Sequence, residues 1–256
     1  VEPLHAGATA SARVRVANAG SATWRSRGRE GVQIAYHWLD ELDNPIVWDG
    51  VRTALPGPVA PGEEVELELE VVAPRPPGRY RLAFDLVEEH RFWFAEIGCT
   101  PLTLGAEVVP RIAARRLAVV VHGADDPGTR EALAAQEEPL VDGDAEAVAH
   151  LVGGAAPAPD WSRRLLDAHA EGWPAVGPGI VPAGSLLERR RLRDLAPWAA
   201  GGGRNPRLGL PLLLPSLLAG TAPSEHEGLP AYDGPDALFD GRIVVRLRPR
   251  SGRPPA

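Results

Sequence analysis

Residues 64–71 read Glu-Val-Glu-Leu-Glu-Leu-Glu-Val, a strict alternation of charge and apolar bulk. Side chains alternate across a β-strand with period two, so this pattern folds as a strand with one buried and one wet face, and not as a helix. Residues 79–86 repeat it, with Tyr80, Leu82, Phe84 and Leu86 on one side and Arg79, Arg81 and Asp85 on the other. Val32, Ile34, Tyr36 and Trp38 form a third such face, opposed by Gln33, Ala35 and His37. Segments 12–18, 46–55, 92–97 and 101–109 bring the expected number to about seven strands. Turns at Asn18-Ala19-Gly20, Leu55-Pro56-Gly57, Pro61-Gly62 and Pro76-Pro77-Gly78 separate them. Short strands at this spacing with no helical pattern between them predict a β-sandwich over residues 1–109.

The remaining chain has a different composition. Up to Val109 there are 16 acidic residues against 10 arginines, a balance of −6; from Pro110 onward there are 18 against 17, a balance of −1. Neither half carries the clustered positive charge that phosphate neutralisation needs, so no nucleic-acid partner is expected. The one basic cluster, Arg189, Arg190, Arg191 and Arg193, reads as a solvated helix face beside Glu188 and Asp194. All 27 basic residues are arginine, as in a GC-rich bacterial coding sequence, and the absence of methionine is expected of a processed chain or of a piece of a longer one. The lone Cys99 excludes an internal disulfide and fits a reducing compartment, hence a cytoplasmic or membrane-peripheral location. No run approaches the roughly 20 apolar residues of a transmembrane segment.

Within residues 110–247 the expected order is strand 117–121, helix 129–136, strand 139–141, helix 145–150, helix 159–169 opened by an Asp160 cap, a strand at 175–177 and a terminal strand at 242–247. This order predicts an α/β domain with some parallel pairing. The Arg-, Pro- and Gly-rich residues 248–256 read as a disordered tail.

Particular residues carry a resemblance to known families. Val14, Asn18-Ala19-Gly20 and Thr23-Trp24 resemble the opening of tryptophan-containing immunoglobulin-like domains. Tyr36-His37-Trp38, Trp48-Asp49-Gly50-Val51-Arg52-Thr53, Pro77-Gly78-Arg79-Tyr80 and Trp93-Phe94 resemble sandwich modules attached to bacterial glycosyltransferases and methyltransferases. They are also similar to the C-terminal carbohydrate-binding domain of O-antigen ABC transporters. Tyr80 stands where such folds place a corner tyrosine, and Leu82 where a disulfide cysteine would stand. In the second half, Ala118 to Val121, Leu140-Val141-Asp142-Gly143-Asp144 and Pro157-Ala158-Pro159-Asp160-Trp161 resemble the first half of a family 2 glycosyltransferase of the GT-A, Rossmann-like fold. The resemblance implies nucleotide contacts at Asp142 and Asp144. The metal-binding Asp-x-Asp motif is replaced by Leu151-Val152-Gly153-Gly154-Ala155, which offers no carboxylate to a cation.

Among the aromatic residues, Tyr36 and Trp38 belong to a core-facing row, Trp24 reads as a structural cap, and His37 as an exposed surface residue. Trp48, beside Asp49 and Arg52, is the candidate carbohydrate contact. The leading expectation is an accessory or glycan-binding protein of bacterial envelope polysaccharide or glycoconjugate biosynthesis, with a degenerate GT-A-like domain, no metal and no cofactor. Its partners would be a glycan or nucleotide sugar and other envelope-biosynthesis proteins. One competing reading is an active glycosyltransferase, with Glu225 or Glu227 as catalytic base and a divalent cation at the nucleotide. Another is a pair of spacer or protein-interaction modules of a larger polypeptide.

Overall fold

The computed structural model describes residues 3–183, 186–187, 212–226 and 228–247. The basic cluster at 189–193, Glu227 and the tail 248–256 lie outside them. The chain divides into two compact units, Val1–Arg111 and Ile112–Ala256.

The first unit is a β-sandwich. Its strands are β1 (Leu4–His5), β2 (Thr9–Ala17), β3 (Ser26–Arg27), β4 (Glu30–Leu39), β5 (Pro45–Val47), β6 (Thr53–Ala54), β7 (Glu64–Val72), β8 (Gly78–Glu88), β9 (Phe92–Trp93) and β10 (Leu102–Val109). The larger sheet runs β1-β10-β8-β4-β3, with β5 and β6 pairing to β4 and β9 to β8. The smaller sheet is β2 paired antiparallel with β7, from Thr9 opposite Val72 to Ala17 opposite Glu64. The alternation of β7 is obeyed: Leu67, Leu69 and Val71 are buried, while Glu64, Glu66, Glu68 and Glu70 are exposed. They meet Val14, Ile34, Tyr36, Trp38, Tyr80, Leu82 and Phe84 in one core, each large side chain contributing about 1.5–3 kcal/mol by leaving water.

No disulfide joins these sheets, and polar contacts at the core edge tie them instead. Trp38 Nε1 donates to the carbonyl of Val72 at 2.8 Å, and the Val72 N–H donates to the Tyr36 hydroxyl at 2.9 Å. The Tyr80 hydroxyl donates to the carbonyl of Pro76 at 2.6 Å. Buried Asn18 holds its turn with three bonds, donating to Ala22 and Val59 carbonyls at 2.8 Å and accepting from Gly20 N–H at 3.0 Å. Leaving any of these groups unpaired would cost about 1–3 kcal/mol, which makes the turn specific as well as stable.

The second unit contains β11 (Leu117–His122), α1 (Pro127–Ala134), β12 (Ala147–Val152), β13 (Ala155–Pro157), α2 (Trp161–Ala170), β14 (Ala175–Pro182), β15 (Leu212–Leu213), β16 (Ser216–Leu218), β17 (Ser224–His226), β18 (Leu229–Tyr232) and β19 (Ala237–Leu247). A six-stranded sheet runs β11-β12-β16-β14-β19-β13, and a separate three-stranded one runs β15-β18-β17. The pairs β11–β12 and β14–β19 are parallel and the other pairs antiparallel.

The expected α/β, Rossmann-like second domain is therefore corrected: the elements of this unit among the described residues are nine strands and two α-helices. A doubly wound fold needs helical crossovers on both faces of a parallel sheet. Here the sheet is mixed, and α1 is the only described α-helix between the paired parallel strands β11 and β12. The expected helix at 145–150 is instead the strand β12. Alanine-rich sequence favours helix in isolation, but Ala147, Ala149 and Leu151 are buried at period two, and tertiary packing overrides propensity. The helix expected at 159–169 forms as α2, burying Trp161, Leu165, Leu166 and Ala168. Asp160 does not cap it through its side chain; its carboxylate pairs with Arg164 one turn on.

Candidate functional site

The site grows out of a single glycine. A Cβ on Gly50 would fall 2.5 Å from the Tyr36 carbonyl and 2.6 Å from its ring, so only glycine lets the 44–54 segment lie this close on β4. The Gly50 N–H donates to the Tyr36 carbonyl at 2.9 Å, fastening it there. The segment expected as one strand thus becomes β5 and β6, with Trp48 and Arg52 in the stretch between them.

Trp48 is 47% exposed, yet its ring stacks on His37, with centroids 4.0 Å apart and planes 20° from parallel. Trp93 packs against both rings, edge-on to His37 at 4.4 Å and to Trp48 at 6.0 Å. The Arg52 guanidinium lies over Trp93 at 4.7 Å, a cation–π contact. It also binds Glu89 at 2.7 Å, Asp49 at 3.0 Å and the Gly50 carbonyl at 3.0 Å. Burial alone would depress the Arg52 guanidinium, but hydrogen bonds to Glu89 and then to Asp49 hold it above its ordinary value. The sequence-predicted trio Trp48, Asp49 and Arg52 is thus brought together, with His37, Trp93 and Glu89 added by the fold.

His37 is the correction here. Expected at the surface, it is 3% exposed, because loops distant in sequence cover the outer face of the larger sheet. Its Nδ1 contacts the Trp48 carbonyl, an atom that can only accept, so Nδ1 is the donor of that bond. Nε2 is buried and has no hydrogen-bond partner. Asp85, also buried on this face, is raised above the usual carboxylate range by burial, in part offset by N–H donors from Ala95 and Leu86. Trp24 packs as expected of a cap, edge-on to Phe94 at 5.6 Å. It lines a different cavity of about 980 Å³, bordered also by Val14, Val16, Phe84 and Leu102.

Among the described residues, those expected to serve a transferase lie on separate elements. Asp142 and Asp144 are exposed in the loop before β12, and Asp144 pairs with Arg116 at 3.2 Å. Glu225 is exposed on β17, in the other sheet, opposite Pro230. Gly153 has a packing reason: a Cβ there would fall 2.1 Å from the Ala124 carbonyl. No group of three or more His, Cys, Asp or Glu side chains that could hold a metal is present among the described residues. No helix among them is long and apolar enough to cross a membrane.

A feature that sequence reasoning missed entirely is His169. It is fully buried, with Nδ1 bonded to the Trp173 carbonyl and Nε2 to the Ser216 hydroxyl, each at 2.8 Å. This is the geometry of a nucleophile and base, but both residues are sealed in the core, where no substrate reaches them.

No family model matches this chain, and no curated protein does. Among solved structures it is similar to a family 123 glycoside hydrolase from Clostridium perfringens, at 9% identity over 51% of this chain and 26% of that one, with a TM-score of 0.23. It is also similar to SSP-19, an MSP-domain protein like family member in Caenorhabditis elegans, at 12% identity over 41% of this chain and 92% of that one, with a TM-score of 0.19. The chain thus spans about a quarter of the hydrolase, and likenesses of this size assign it neither family nor activity.

Proposed function

We propose that the protein is an accessory glycan-binding component of bacterial envelope polysaccharide or glycoconjugate assembly, and that it meets the glycan at Trp48. The observation that carries this reading is the half-exposed Trp48 ring, backed by His37 and Trp93 so that its free face is presented without side-chain freedom to lose on binding. The apolar face of a sugar ring stacks on such a surface, while Asp49, Arg52 and Glu89 offer charged partners for hydroxyls beside it. With one guanidinium against two carboxylates, the rim carries a net charge of −1 and favours neutral or amino sugars over uronic acids. The envelope context rests on the resemblance of the sandwich residues to modules that accompany bacterial glycosyltransferases.

A glycan array probed with the full chain tests the reading. Binding to neutral or amino-sugar glycans that Trp48→Ala abolishes, at unchanged thermal stability, is the expected result. Binding indifferent to Trp48→Ala, or no binding to any glycan, overturns it.

A further inference from the structure

A second histidine pair lies in the other unit and plays no part in the reading above. His122 ends β11 and His150 lies on the neighbouring parallel strand β12, on the face opposite the buried row Ala147, Ala149 and Leu151. His122 Nε2 and His150 Nδ1 are 3.0 Å apart, with ring planes 31° from parallel. Both side chains are half-buried, and Val120, opposite His150 in the register, is 42% exposed, so the pair is open to solvent among the described residues.

The separation is informative. Metal–nitrogen bonds of about 2.0–2.1 Å span 3.0 Å at a nitrogen–metal–nitrogen angle of about 90–97°, whereas a tetrahedral centre would set the nitrogens about 3.3–3.4 Å apart. A right angle is the cis position of a tetragonal site, the preference of Cu(II) and Ni(II) with nitrogen and oxygen ligands. Neither a carboxylate nor a thiolate joins the two imidazoles in a larger ligand group among the described residues, which disfavours Ca(II), Mg(II) and a closed structural zinc site.

We propose that His122 and His150 form a two-imidazole chelate for a tetragonal divalent metal, Cu(II) ahead of Ni(II), with solvent completing the coordination. On binding, the ring that donates the shared hydrogen bond gives up that proton to solvent and takes one on its other nitrogen, so both rings stay neutral, and a modest turn of each ring aims the two lone pairs at the cation.

Electron paramagnetic resonance of the full chain with one equivalent of Cu(II), together with calorimetric titration, tests the proposal. The expected spectrum is axial with hyperfine coupling to two imidazole nitrogens. His122→Gln and His150→Gln are each expected to weaken binding at least tenfold. Coupling to fewer than two nitrogens in the wild-type protein overturns the proposal whether or not the variants fold. So does an affinity unchanged in the double variant, or displacement of Cu(II) by equimolar Zn(II).

Discussion

His37 and His169 are both buried, one in each unit, and both donate from Nδ1 to a backbone carbonyl, that of Trp48 and that of Trp173. They differ at the other nitrogen. In His169 it bonds to the buried Ser216 hydroxyl; in His37 it has no hydrogen-bond partner and the ring lies beneath a tryptophan that is itself half in water. A buried polar atom without a partner costs about 1–3 kcal/mol, so a fully satisfied histidine belongs to the architecture, and an unsatisfied one under a half-exposed surface ring marks a place where something else can bind. The two units therefore use the same residue for opposite ends: one to lock a core, the other to back a surface.

The sharpest way to break this contrast is to shorten both rings. Asparagine retains an N–H near the position of Nδ1 and deletes Nε2. His169→Asn leaves the Ser216 hydroxyl buried and unpaired and is expected to cost about 3 kcal/mol in urea unfolding, while His37→Asn, which deletes an atom that had no partner, costs about 1 kcal/mol or less. Equal losses would erase the distinction.

Acid sharpens it from the other side. Burial drives His169 down from 6.5 to about 4, against the smaller raising effect of its bond to the Trp173 carbonyl. The unfolded chain takes up the proton near 6.5 and the folded one near 4, so between those values the unfolded state binds more protons. Stability is full above about pH 6.5 and falls as the pH drops to 4, by up to about 3 kcal/mol from this residue, with His150 adding in the same direction. The urea midpoint measured from pH 7 to 4.5 follows this slope, and a flat profile in the wild-type protein would count against the locking role.

On the surface side, Trp48→Ala is expected to weaken glycan binding at least tenfold, about 1.4 kcal/mol, while changing folding stability by less than about 1 kcal/mol because the ring is half exposed already. A large stability loss would make Trp48 part of the core. The smallest effect belongs to Arg52→Met, which removes the ion pairs to Glu89 and Asp49 and the contact over Trp93. About 1 kcal/mol of stability at most is expected to go, with a sharper discrimination against uronic acids on the array, because the rim then carries two carboxylates and no cation.

Much of the first unit was legible because each long strand carries its own alternation. β4, β7 and β8 form where the pattern places them, and Trp48, Asp49 and Arg52 are neighbours in sequence as in space. Trp93 and Glu89 come to the same patch only because β9 pairs with the end of β8, and nothing near residue 48 announces them. In the second unit the local signal misled. Residues 145–150 contain alanine and glutamate and favour a helix by propensity, but the flanking strands β11 and β16 offer ladders on both sides, and pairing outweighs a preference of a few tenths of a kcal/mol per residue.

The sequence by itself determined where apolar and charged residues alternate, where glycine and proline must turn the chain, and that no disulfide could assist, because these follow from local geometry and composition. Only the tertiary structure decided which histidine is sealed, which is left with an idle nitrogen and which two face each other. Burial and pairing of a side chain depend on segments tens of residues away, and no local pattern records what those segments will cover.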